Sequence, residues 1–155
     1  MHIDSLIKHW RRKNVPHLPG IDNEQLRRFE RDFALVVPDE MRKLYETTDG
    51  TFVRGERGTD HKGFAFWHLS DVQPDSRYEW AFIFADFMEE SWSYAIALLP
   101  GSNRTVGAVY LLGDISGEPL LVADSLGQFI EHYLRDDDRL NPRGARRHSD
   151  DSKKI

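Results

Sequence analysis

Apolar residues recur every three or four positions in the first third of the chain, which is the spacing of one face of a helix. The pattern predicts helices in HIDSLIKHWRR (2–12), IDNEQLRRFERDF (21–33) and PDEMRKLYETTDG (38–50). The prolines and the glycine of VPHLPG separate the first two helices, because they cannot continue a helical hydrogen-bond ladder. Asp22 and Gln25 have the spacing of a capping box, so Asp22 is expected to cap the second helix.

The middle of the chain changes to the period of a β-strand. Short runs rich in aromatic and β-branched residues, separated by turn residues, predict strands at 63–69, 80–85, 92–98, 106–112 and 120–123. In the third run large residues alternate with Ser93, Ala95 and Ala97, so the face bearing the large residues should pack on helices. The connections are too short for helical crossovers, and the sheet should therefore be mainly antiparallel.

A last helix is predicted in ADSLGQFIEHYL (123–134), where Ser125 and Gln128 again have capping-box spacing. Helices, then strands, then a helix indicate an α+β fold. We expect a mainly antiparallel sheet of four to six strands packed against N-terminal helices and a C-terminal helix. A chain of 155 residues fits a single domain, which we place at residues 1–134.

The remaining segment, RDDDRLNPRGARRHSDDSKKI (135–155), is poor in apolar residues. Besides one alanine it contains two of them, Leu140 and Ile155. So little apolar surface should not offset the entropy lost on ordering, and the pattern predicts a disordered charged tail.

Composition narrows the function classes. The chain has no cysteine, which excludes disulfides and thiolate sites and fits a reducing compartment. Neither a leader-like apolar region nor a membrane span is evident, so the expected location is the cytoplasm, with no membrane partner. The net charge is −5, but residues 135–155 hold seven Lys/Arg and five Asp, which leaves 14 basic and 21 acidic residues in 1–134. This acidic body argues against a nucleic-acid partner and for a basic one.

The segment FADFMEESWSYAI (84–96) places three carboxylates between two strand-like runs. A hydrolase would use Asp86 together with Glu89 or Glu90. The two glutamates are adjacent and would point apart on a strand, which makes them a poor acid–base pair. We interpret Asp86 as a turn residue whose carboxylate accepts hydrogen bonds from backbone amides two residues on. No nucleophile elbow, phosphate loop or dinucleotide fingerprint is present, and no catalytic residue is predicted.

Metal and cofactor sites are not predicted either. None of the seven histidines is paired at HxH or HxxxH spacing. His132 falls on the polar side of the last helix and is interpreted as solvated. The basic segments KHWRRK and RGARRHSDDSKK are interpreted as a solvated helix face and a charge-balanced tail rather than as nucleic-acid sites.

Protein docking suits the acidic segment better. Carboxylates around an exposed aromatic residue would steer a basic partner and anchor it at once. An equally simple interpretation is that these are soluble turn residues. The predicted partner-binding residues are Asp86, Glu89, Glu90 and Trp92, extended by Asp114 and Glu118 if their turn lies at the same sheet end.

Three segments together resemble the SMI1/KNR4, or SUKH, superfamily. LPGIDNEQLRRFERDFALVVPDEMRKLYETTDGT (18–51) resembles its opening signature, with Val37-Pro38 for the usual Leu-Pro and Asp49-Gly50 for Asn-Gly. FADFMEESWSYAIAL is similar to its central hairpin. VADSLGQFIEHYL is similar to its closing helix, with Leu126 where phenylalanine is usual. The loop VRGERGTDHKG (53–63) and the tail match no shared motif.

The resemblance implies a non-enzymatic binding module, since the family carries no shared catalytic set. Many bacterial members are immunity proteins that neutralise a cognate toxin, often a nuclease or another polymorphic-toxin domain. The expected function is therefore neutralisation of a basic toxin domain by stoichiometric binding. Eukaryotic members imply the alternative, a regulatory or scaffold domain with a non-toxin protein partner.

Overall fold

The computed structural model describes residues 2–53, 56–113 and 117–152. The helices of this part of the chain are α1 (His2–Arg12), α2 (Asn23–Phe33), α3 (Asp39–Thr47), α4 (Leu126–Leu134) and α5 (Pro142–Ser152). The strands are β1 (His17–Pro19), β2 (Thr48–Val53), β3 (Glu56–Arg57), β4 (Phe64–Phe66), β5 (Gln73–Pro74), β6 (Ala81–Phe87), β7 (Trp92–Ala97), β8 (Val109–Leu112) and β9 (Leu120–Ala123). Two 3₁₀ helices span Leu69–Asp71 and Asp138–Leu140.

The main sheet has six strands in the order β4-β6-β7-β8-β9, with β5 also paired to β6. Every pairing in it is antiparallel. With helices on either side of it in the sequence, this sheet confirms the predicted α+β class. The predicted capping box of α2 is also present: the Asp22 side chain accepts from the Gln25 amide at 2.9 Å, and the Gln25 side chain accepts from the Asp22 amide.

The face of the sheet that carries large side chains packs on helices, as the period-two pattern predicts. Phe129 of α4 lies against Phe84 and Tyr94, with ring centroids 5.3 and 5.1 Å apart. Phe29 of α2 lies 6.0 Å from Phe82. Burial of these rings is the main driving force for folding, because each removes a large apolar area from water.

A second, three-stranded sheet was not predicted. It has the order β1-β2-β3, and β2 occupies Thr48–Val53, where the sequence pattern extends the helix to residue 50. Helix α3 ends at Thr47, and the Thr48 hydroxyl donates to the Leu18 carbonyl at 2.7 Å. Gly50 has a φ of +98°, and a β-carbon there would lie 2.3 Å from the Phe66 carbonyl oxygen. Tertiary contact with β1 and β4 thus overrides the helical pattern.

The C-terminal segment differs from the predicted disordered tail. Over residues 135–152 the chain forms the second 3₁₀ helix and α5, and α5 packs against β9. Leu140 and Ala145 are buried, and the Tyr94 hydroxyl donates a hydrogen bond to the Leu140 carbonyl. One leucine suffices here because the sheet already presents an ordered aromatic surface to receive it. Residues 153–155, which the prediction also covers, lie outside the described residues.

A buried hydrogen-bond chain joins α1, α4 and the loop before β4. The Trp10 indole donates to the Tyr133 hydroxyl at 3.0 Å, and that hydroxyl donates to the Asp60 carboxylate. The other Asp60 oxygen accepts from the amides of Lys62 and Phe64 at 2.8 and 2.9 Å. All three side chains of the chain are buried. Burial of the carboxylate is tolerated because both oxygens are hydrogen-bonded.

The hydrogen-bond chain from Trp10 through Tyr133 to Asp60 predicts a loss of stability for Tyr133→Phe. The substitution keeps the ring but leaves the Asp60 oxygen and the Trp10 N–H without their partner. We expect the free energy of unfolding to fall by about 2–4 kcal/mol, because two buried polar groups lose a hydrogen bond. The matched control is Tyr110→Phe, whose hydroxyl bonds to no described residue; it should change stability by about 0.5 kcal/mol or less. Urea denaturation measures the free energy of unfolding of both variants. Equal losses would contradict the role assigned to the hydrogen-bond chain.

Candidate functional site

The connection between β6 and β7 has an unusual backbone. Met88, Glu89 and Glu90 all have left-handed conformations, with φ of 51°, 53° and 67°. Such a conformation costs a non-glycine residue about 1–2 kcal/mol, so three in succession must be held by the surrounding structure. Part of that support comes from the Met88 amide, which donates to the Gly63 carbonyl at 2.8 Å.

Asp86 supplies further support from inside the protein. Its side chain is only 2% exposed. One carboxylate oxygen accepts from the Trp67 indole at 2.6 Å, and the other accepts from the Glu90 amide at 3.2 Å. The predicted bond to a backbone amide is therefore present, but four residues on rather than two.

The burial of Asp86 corrects its predicted place among the surface residues. A side chain that is only 2% exposed cannot contact a partner in this conformation. Asp86 fixes the shape of the turn instead. It also does not face solvent beside Glu89 or Glu90, so the arrangement gives no acid–base pair of the kind the hydrolase hypothesis needs.

Glu89 and Glu90 are exposed at the tip of the turn, as predicted. Among the residues that the structure describes, neither glutamate takes part in an ion pair. Met88 beside them is 55% exposed. The turn thus presents two carboxylates and a thioether to solvent on a backbone that is anchored at both ends.

Trp92 is half-buried beneath this turn. Its ring stacks on Phe87, with centroids 4.6 Å apart and an interplanar angle of 20°. Phe64 meets Phe87 at 4.8 Å in an edge-on contact. The Trp92 indole donates to the Tyr94 hydroxyl at 2.8 Å, which fixes the orientation of the ring. We refer to Phe64, Phe87 and Trp92 as the aromatic cluster.

The turn between β8 and β9 lies at the same end of the sheet. Leu112 pairs with Ser93, and Leu111 pairs with Leu120, so the chain leaves and re-enters the sheet next to Trp92. Glu118 is exposed in this connection, and the structure therefore brings it to the sheet end that carries Glu89 and Glu90. Asp114, the other predicted residue of this turn, lies outside the described residues.

A cleft of about 200 Å³ opens beside the aromatic cluster. One side is formed by the cluster, and the other by the end of α4 and the segment that follows it. The residues that line the cleft are Phe64, Phe87, Trp92, Tyr133, Asp136, Asp137, Leu140 and Asn141. The second side of the cleft was not predicted, because the low apolar content of residues 135–155 predicts a disordered tail there.

Two of the lining carboxylates already bind cations of the same chain. Asp136 forms an ion pair with Lys62, whose side chain is 35% exposed against 63% for Asp136. Asp137 forms an ion pair with Arg139 at 3.0 Å, and the ring of His132 lies 3.5 Å away. Both acidic residues on this side of the cleft are therefore charge-paired within the chain.

His132 is buried, contrary to the prediction of a solvated ring. It is 8% exposed, and burial lowers its pKa. Nearby, the potential ligand atoms of Asp137, Asp138 and His148 lie within 4.8 Å of one another. Arginines pair with both carboxylates, Arg139 with Asp137 and Arg147 with Asp138, so the cluster is balanced by its own cations.

A separate groove of about 400 Å³ lies between α2 and the 69–73 segment. Asp49 lines it, accepts from the Leu69 amide at 2.8 Å, and has its pKa raised by burial. The polar residues beside it are Gln25, Arg28 and Asp32. This groove was not predicted, because its lining residues are dispersed over three parts of the chain.

Comparison with known families supports the resemblance seen in the sequence. The family model described as SMI1 / KNR4 family (SUKH-1) matches residues 20–132, almost three quarters of the chain. The chain belongs to the SMI1/KNR4 (SUKH-1) family. No curated protein matches it. The matched region of this SUKH domain includes the aromatic cluster and the β6–β7 turn, whereas Asp136, Asp137 and Leu140 lie beyond it. Within the described ranges, no helix has the length and apolar character needed to cross a membrane.

The role assigned to Asp86 predicts a loss of stability for Asp86→Asn. Both carboxylate oxygens of Asp86 face donors, so the NH₂ group of asparagine must confront either the Trp67 indole or the Glu90 amide. We expect the free energy of unfolding to fall by about 1–3 kcal/mol. Glu89→Gln removes the same charge from the exposed tip and should change stability by about 0.5 kcal/mol or less. Chemical denaturation of both variants checks this, and equal stabilities would refute the anchoring role.

Two buried histidines predict a pH dependence of stability. Burial lowers the pKa of His132, and burial together with His61, Arg12 and Lys62 lowers that of His9. The native state then binds fewer protons than the unfolded state, in which histidine has a pKa of about 6.5. Stability should therefore decrease as the pH falls from about 7 to about 5.5. The slope should be smaller in His132→Gln, and a wild-type stability that rises on acidification would contradict the assignment.

Proposed function

We propose that this chain is a non-enzymatic SUKH protein-binding domain that acts as an immunity protein. It would neutralise a cognate bacterial toxin domain by stoichiometric binding that covers the toxin's active site or substrate groove. The observation that carries this proposal is the β6–β7 turn, where Glu89 and Glu90 are exposed above the half-buried Trp92. The turn is anchored to the core through Asp86, which reduces the entropy that binding would cost.

Charge supports a basic partner. Residues 1–134 contain 14 basic and 21 acidic residues, and two of the acidic ones, Glu89 and Glu90, are exposed at the turn and form no ion pair with a described residue. A toxin that acts on nucleic acid must itself be basic to bind phosphates, so the two surfaces would attract each other. The aromatic cluster below the turn would provide the apolar contact area that carries most of the binding energy in protein interfaces.

The proposal is tested by co-expression with the C-terminal domain of a toxin encoded beside this gene. A stable one-to-one complex on size-exclusion chromatography supports neutralisation, and inhibition of the toxin's activity by the purified chain completes the test. Recovery of a different protein partner, with no effect on the toxin, would favour the regulatory or scaffold alternative instead.

Glu89→Gln/Glu90→Gln should slow association with the toxin domain by about three- to tenfold at low salt, because the two carboxylates steer the encounter. The difference should shrink as ionic strength rises. The matched control is Glu24→Gln/Glu79→Gln, which removes the same charge from exposed sites on α2 and at the opposite end of the sheet. Stopped-flow or surface-based kinetics measure the rates. If both double variants associate equally slowly, the turn does not form the interface.

A further inference from the structure

We propose that the cleft beside the aromatic cluster receives an arginine side chain of the partner protein. This inference rests on the proposed function, because it assigns the chemistry of the bound surface. Two parts of the chain line the cleft. Phe64, Phe87 and Trp92 lie in the region that matches the family model, and Asp136 and Asp137 lie beyond that region. The C-terminal segment of this chain therefore determines which basic partner fits.

The size of the cleft suits a single side chain. Its volume is about 200 Å³. Pockets that bind small-molecule ligands usually span about 300–1,000 Å³, whereas a cavity of about 150 Å³ already holds a benzene ring. A side chain delivered by a protein surface matches this volume better than a free cofactor or metabolite does.

The lining selects a cation with an apolar stem. Three aromatic rings form one side, and Asp136 and Asp137 belong to the other, while most of the surface of the cleft is apolar. Asp137 is held by the side chain and the amide of Arg139, so the carboxylate open to an incoming cation is that of Asp136, whose side chain is 63% exposed. An arginine can place its methylene groups against the rings and its guanidinium against a carboxylate. Its planar fork also stacks on aromatic faces, which the compact ammonium group of lysine cannot do. Glu89 and Glu90 at the adjacent turn would add to the attraction.

The Lys62 ammonium group already forms, within the chain, the kind of ion pair that we expect the arginine to form. Lys62 pairs with Asp136 at the cleft, and both side chains are substantially exposed. Exposed ion pairs contribute little to stability, so an incoming guanidinium could replace the Lys62 ammonium group at small cost. The Lys62→Gln variant should consequently bind arginine more tightly than the wild type.

The full-length chain can be tested directly with two blocked amino acids, acetyl-arginine amide and its neutral isostere acetyl-citrulline amide. The readout is the NMR signal of the Trp92 indole N–H, compared with those of Trp10, Trp67 and Trp80. We expect the arginine compound to shift the Trp92 signal and to bind about tenfold more tightly than the citrulline compound. Equal binding of the two compounds, or shifts that leave Trp92 unaffected, would overturn the proposal.

Substitutions on the acidic side of the cleft provide a second test of arginine binding. Asp136→Asn/Asp137→Asn should weaken arginine binding about tenfold, and Lys62→Gln should strengthen it severalfold. The control is Asp138→Asn, which alters the same run of aspartates at a residue that does not line the cleft. Because Lys62→Gln predicts a gain, the proposal stays testable even if the double variant folds poorly. Unchanged affinity in Lys62→Gln together with an equal loss in Asp138→Asn would refute it.

The same variants separate this inference from the proposed function. If the toxin domain binds Asp136→Asn/Asp137→Asn with wild-type affinity, the cleft is not the arginine site and the immunity function stands. If the arginine compound binds at Trp92 but no neighbouring toxin forms a complex, the cleft assignment stands and the immunity function fails.

Discussion

The hydrogen bonds of the buried Asp86 carboxylate are the constraint on which the exposed surface of this SUKH domain depends. An isolated buried charge would be strongly destabilising, so Asp86 requires both the Trp67 indole and the Glu90 amide. Trp67 is in turn held by Tyr45 of α3, whose hydroxyl donates to the Trp67 carbonyl at 2.9 Å. A continuous path thus runs from the helical layer through the core to the turn that carries the glutamates. This path, together with the hydrogen bond from the Met88 amide to the Gly63 carbonyl, supports the left-handed backbone of that turn.

The proposed binding surface would be formed by two parts of the chain. The family-matching body supplies a rigid sheet end with stacked aromatic rings. The segment after it supplies carboxylates and one buried leucine, and it is attached through the hydrogen bond between the Tyr94 hydroxyl and the Leu140 carbonyl. The choice of partner would then depend both on the region that matches the family model and on the segment after it.

Much of the fold follows from local pattern, because helix capping and apolar periodicity act over a few residues. The capping box at Asp22, the stripe of α1 and the alternation in β7 each report directly on a buried face. The predictions are wrong where a contact between residues distant in sequence determines the local structure. Thr48 ends a helix because it bonds to Leu18, thirty residues earlier, and the 135–152 segment becomes ordered because Tyr94 and the aromatic cluster receive it. The same reason explains why the burial of Asp86 and His132 could not be predicted from their neighbours in sequence, whereas the exposed Glu89 and Glu90 could.

We propose that the sheet end formed by the β6–β7 turn and the cleft beside it is the surface that binds a protein. Amide hydrogen exchange on the complex with the neighbouring toxin domain tests this most directly. We expect new protection in residues 88–92 and 136–141, with little change in α2 and the 69–73 segment. Protection confined to the groove around Asp49, with unaltered exchange at the turn, would contradict it.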